Sequence, residues 1–213
     1  MSNSTGAGNV AIGKGALDAN TTADDNVAVG DSALGANTTG TANTAVGGAA
    51  LAATTNNGNN TAIGFAALNA NTTGGENTGL GRGALASSTT ANNNTGVGAF
   101  ALEDNTTGAD NTAVGFNALG SNTTASDNTA VGKFALKANT TGSNNTAVGK
   151  GAGTAITTGD DNTAIGQDSL FTATTASDNT AVGFQALYSN TTGAGNTAMA
   201  VSYTHLTLPT NCV

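Results

Sequence analysis

Apolar residues recur at fixed offsets inside a polar block of seventeen residues, and the block repeats without a slip. Asn-Thr-Ala-Val-Gly or a close variant starts at Asn9, Asn26, Asn43, Asn60, Asn77, Asn94, Asn111, Asn128, Asn145, Asn162, Asn179 and Asn196. A short period kept this strictly means one structural unit stacked on copies of itself. A solenoid held by nearest-neighbour contacts is therefore expected, and a globule around one centre is not.

Numbering each block from its Asn defines seventeen columns. Column 4 is apolar in every copy (Val46, Val114 and Val182 among them), column 8 is Ala and column 9 is Leu with one exception each, and column 5 is Gly in all but the last copy. Columns 4, 8 and 9 are expected to point inward. On that reading Val114→Asp disrupts the interior, whereas Lys133→Asp is nearly silent. In the copy starting at Asn145, Gly153 replaces the column 9 Leu and Ile156 replaces the column 12 Asn, so Ile156 is expected to turn inward and fill the vacancy. Columns 13 and 14 form a Thr pair broken once by Asn56, and the variable columns 6, 7, 10 and 11 are expected to face water.

Seventeen residues are too few for a helical hairpin repeat of about 33 or 34 residues. The β-branched Thr and Val, with Gly or Asn at each bend, read as strand and turn. The fold class expected is all-β: a parallel β-roll or β-solenoid of 17-residue coils. Each coil has a strand at columns 2 to 4, a second near columns 7 to 9, and a polar return through Asn-Thr-Thr-Gly. Coils spaced about 4.8 Å apart make a rod roughly 58 Å long. Column 1 Asn suits a left-handed turn, and its side-chain amides in register can form a ladder along the rod. One Val, one Leu and two Ala per coil make a thin interior, which points to a further apolar face shared between chains and hence to an oligomer.

The domain reading is a partial repeat over residues 1–8, which fit columns 10 to 17 in frame, a solenoid over 9–200, and a non-native tail over 201–213. Val201 to Thr210 abandon every column at once. The string resembles a translated transposase sequencing adaptor, GTC TCT TAT ACA CAT CTG ACG CTG CCG ACG, with the break falling inside the codon of Ala200. His205 and Cys212 lie in that stretch and carry no functional weight, and one Cys makes no internal disulfide.

Low charge (8%), 31 Gly and abundant Asn and Thr suit an extracellular rod, while an apolar residue in the same column of every copy argues against disorder. A net charge of −8 without a basic stripe argues against nucleic acid. Column 17 gathers Asp25, Glu76, Asp110, Asp127, Asp161 and Asp178, but the nonapeptide of calcium-binding β-rolls is missing. The repeats contain no His or Cys, and no titratable residue has a unique setting. The chain is thus read as no enzyme, with no catalytic, cofactor-binding or metal-binding residues and no cofactor. No run of about 18 apolar residues crosses a membrane. The aromatics Phe65, Phe100, Phe116, Phe134, Phe171, Phe184 and Tyr188 fall in columns 6, 7 and 10, as contacts for sister chains or a partner.

Asn9-Val10-Ala11-Ile12-Gly13 and its successors up to Ala200 resemble the head repeats of trimeric autotransporter adhesins of the YadA type. That resemblance implies a left-handed, homotrimeric β-roll on the bacterial outer-membrane surface, which attaches to host or matrix surface polymer. The arrays also resemble those of phage tail fibres ending in a self-cleaving chaperone domain, which implies a shaft on a virion tail. A third class is an ice-binding solenoid. Adjacent Thr columns point to opposite faces of a strand, so only one can face out, and no thermal hysteresis is expected in an ice-affinity assay.

Overall fold

The computed structural model describes residues 4–200. The adaptor-like stretch and the first three residues lie outside them. Among the described residues there are twelve strands of three residues each, from Val10–Ile12 to Thr197–Met199, and no helix. They form a single parallel sheet in chain order, each strand pairing with the one seventeen residues on, as in Val114↔Val131 and Val131↔Val148. The structure is a β-solenoid of 17-residue coils. Ser4, in the Thr column of the partial repeat, donates from its N to Thr21 O at 2.9 Å, and Asp25 N donates to Ala7 O at 2.9 Å, so residues 4–8 stack in the same register.

Each strand is short because of what bounds it. At Gly115 φ is 138°, and a Cβ there would stand 2.6 Å from the carbonyl oxygen of Gly132 in the next coil. Only glycine fits so close to a neighbouring backbone. At the other boundary, the residue before each Asn holds the left-handed conformation, as at Asp110 (φ 59°) and Asp127 (φ 60°). The left-handed position is therefore column 17 and not the column 1 Asn expected to occupy it. That placement accounts for the Asp and Asn enrichment of column 17, since these residues tolerate positive φ better than most.

Column 1 instead points its amide inward as the ladder. Asn111 N donates to Asn94 Oδ1 at 3.0 Å, and its Nδ2 donates both to that oxygen (3.2 Å) and to Ala125 O (2.8 Å). The amides of Asn60, Asn77, Asn94 and Asn162 do the same, each tying its own coil's return loop to the preceding coil. Asn111→Ala would orphan Asn128 N, while Ala125 O keeps the bond from Asn122 Nδ2 at 3.0 Å. A cost of about 1–3 kcal/mol per orphaned group is expected in chemical denaturation.

Fixing column 1 inward also fixes the strand's parity. Side chains alternate across a strand, so column 3 shares the interior with column 1, and columns 2 and 4 face out. Ala113, Ala130 and Ala147 are fully buried, while Val114, Val131 and Val148 are exposed, Val114 at 36%. This corrects the expectation for column 4: Val46, Val114 and Val182 do lie in one file, but the file is on the outer face of the sheet.

The second expected strand, at columns 7 to 9, is replaced by turns. Columns 7 and 9 take positive φ, as at Asn117 (53°) and Leu119 (49°). A left-handed leucine costs roughly 1–2 kcal/mol. Full burial of its side chain returns roughly 1.5–3 kcal/mol, and its N–H bonds the next coil, Leu119 N to Ala135 O at 3.0 Å. The core is the column 9 leucines packed on column 3 and column 8 alanines. Ile156 is fully buried, and a Cβ on Gly153 would meet its Cδ1 at 3.0 Å, so the isoleucine occupies the space of the missing leucine as expected.

Candidate functional site

Three surfaces are left for function once the interior is accounted for. The first is the outer face of the sheet. From the third coil to the eleventh, half-buried column 2 threonines alternate with column 4 Val, Ile and Leu, giving an apolar file flanked by hydroxyls; in the first two coils Val10 and Val27 take the Thr position. None of the column 4 side chains is buried. Sequence reasoning placed them on the wrong side although a signal was present: column 3 never holds anything larger than Ala. A column restricted to Ala and Gly marks a closed space. At Gly79 an added Cβ already meets Leu68 Cγ at 3.4 Å.

The second surface is the polar return. Thr106 Oγ1 donates to Thr123 O at 2.9 Å and Thr123 Oγ1 to Thr140 O at 3.0 Å, so column 13 hydroxyls are engaged along the axis. Column 14 is the Thr file that stands exposed, as at Thr107 and Thr124. The column 17 acids lie at this edge on their left-handed turns. Among the described residues no group of three or more His, Cys, Asp or Glu is gathered where it could hold a metal ion.

The third is the variable segment of columns 6, 7 and 10, where the aromatics meet the cations. Phe100 and Phe116 make an edge-to-face pair with centroids 6.0 Å apart, and Phe116 and Phe134 another at 5.5 Å. Phe171 and Tyr188 stack with centroids 5.0 Å apart. Lys133 Nζ lies 4.9 Å from the Phe134 centroid and 5.8 Å from that of Phe116, while Lys137 Nζ is 5.1 Å from Phe134. Arg82 covers Phe100 at 5.2 Å. Burial pushes the Glu103 carboxyl above its ordinary range; the Asp104 charge adds to this and Arg82 opposes it. Phe65 and Phe184 are the most exposed of these rings. The sequence located every one of these residues on the variable segment but not their grouping, because side chains in different columns meet only when the turns set their angle.

The described residues contain no helix long and apolar enough to cross a membrane. Compared with protein-family models, curated proteins and solved structures, the chain gives no match.

Proposed function

We propose that the chain is a non-enzymatic extracellular shaft: a left-handed, homotrimeric β-roll segment of a bacterial surface adhesin that attaches to host or matrix polymer. The observation that carries this reading is the outward apolar file of column 4. Contiguous exposed apolar surface of this length marks an interaction face. Its occupant must repeat at the same rise to stay in register from end to end, and a second copy of the chain does so by construction. Closed symmetric assembly is the ordinary outcome for such self-complementary surfaces. Three copies and a cell-surface setting follow from the resemblance of Asn9-Val10-Ala11-Ile12-Gly13 to adhesin head repeats.

Light scattering on the purified chain is expected to give three times the 20.3 kDa mass of the single chain, and a monomer at micromolar concentration contradicts the proposal. In the source genome, an outer-membrane anchor barrel is expected downstream in the same reading frame. A self-cleaving chaperone domain beside tail genes would assign the shaft to a phage fibre instead.

A further inference from the structure

We infer that the variable face around Phe116, Lys133, Phe134, Lys137, Lys150 and Phe171 is a binding site for an acidic polysaccharide lying along the rod axis. It rests on the adhesive reading above and names the class of polymer attached.

The rod carries a net charge of −8, yet cations are concentrated here. Of five basic residues in the chain, three lie within the span Lys133 to Lys150, in two successive coils and on the same variable segment. Between them and Phe171 is a groove of about 400 Å³ whose lining includes Phe134, Lys137, Lys150 and Thr154. The acid in its wall is Asp168, whose Oδ2 accepts from Gln167 Nε2 at 3.1 Å. Nothing in the coil's own packing calls for these residues, since the same columns hold Gly, Ala or Ser elsewhere.

Rings and ammonium groups together select the ligand. An aromatic face is negative and flat, and it suits the apolar C–H face of a pyranose. Successive coils rise about 4.8 Å, close to the length of one sugar, so a glycan along the axis meets one coil per residue. The run Phe100, Phe116, Phe134 supplies one ring from each of three consecutive coils, set edge to face at 85° and 70°; the next coil has no ring, and beyond it Phe171 and Tyr188 stack on each other past the groove. Lys133 and Lys137 both lie over the Phe134 ring, so at that coil their ammonium groups, and not the ring face, meet the carboxylate or sulfate groups of the ligand. Nucleic acid fits less well. Its phosphates are dense, about one charge per 1.7 Å in a duplex, and three lysines on a chain of net charge −8 neutralise few of them.

The test is a titration of the full chain with oligogalacturonate, hyaluronate and chondroitin sulfate, with dextran and an oligo-dT strand as comparators. Saturable, salt-sensitive binding of at least one acidic glycan, with dextran and oligo-dT weaker, is expected. Two variants should each weaken it at least tenfold without changing far-UV circular dichroism: Phe134→Ala, and Lys133→Gln combined with Lys137→Gln and Lys150→Gln. Absence of glycan binding, unchanged affinity in the lysine variant, or preference for oligo-dT overturns the inference. A change of assembly mass in the lysine variant also overturns it, by making the face a contact between copies. Light scattering on the same samples separates the two readings. A trimer that binds none of the glycans sinks this site alone, and a monomer that binds them sinks the assembly alone.

Discussion

Val131→Asp is expected to separate the copies while leaving each chain wound. Val131 is an exposed member of the outer file, so an aspartate there keeps its hydration in a lone chain and costs the coil little. Across a face shared by three copies, the same change brings three carboxylates into an apolar contact. Burying an unpaired charge costs several kcal/mol, so the trimer should dissociate to monomers in sedimentation or light scattering, with circular dichroism retaining its β signature. Val131→Asp that stays trimeric removes column 4 from the interface. The same logic revises the expectation for Val114→Asp, whose disruption now falls on assembly and not on the interior. Ala130→Asp supplies the contrast: its position is fully buried within the coil, and the solenoid itself should come apart around it.

The second large effect lies at the one coil that lacks the column 9 leucine. Ile156→Ala should lower stability by about 2–5 kcal/mol, because it empties the space that Gly153 leaves unfilled. Gly153→Leu alone should also destabilise, by roughly 1–3 kcal/mol, since its Cβ would stand 3.0 Å from both Ile156 Cδ1 and Leu136 Cδ2. Joining Gly153→Leu to Ile156→Asn should recover or exceed the parent's stability. It restores leucine at a position already in the left-handed region, φ 57°. It also extends a second amide file, in which Asn122 Nδ2 donates to Asn105 Oδ1 at 2.9 Å and Asn139 Nδ2 to Asn122 Oδ1 at 3.1 Å. That file stops at Asn139, whose buried Oδ1 has no hydrogen-bond partner because Ile156 stands where the next donor belongs. Denaturant unfolding of the two single variants and the pair gives the coupling directly. Strict additivity would mean that the two positions do not share the space.

Read residue by residue, the chain alone determined the repeat, its period, the strand at columns 2 to 4, the stacking of Asn on Asn, and the inward turn of Ile156. These follow from periodicity and composition, which any stacking of identical units must respect. Tertiary structure decided which side of the strand faces in. Alternation has a period of two, so one anchoring contact reverses every assignment: the amide of Asn111 reaching Ala125 O puts Ala113 inside and Val114 outside. Hydrophobicity argued the opposite because it compares side chains and not the space available to them, and a coil this narrow admits alanine where it refuses valine. The left-handed leucines were invisible for a related reason. A backbone conformation that each residue disfavours alone is held by burial and by hydrogen bonds from the next coil, and neither exists until the coils are stacked.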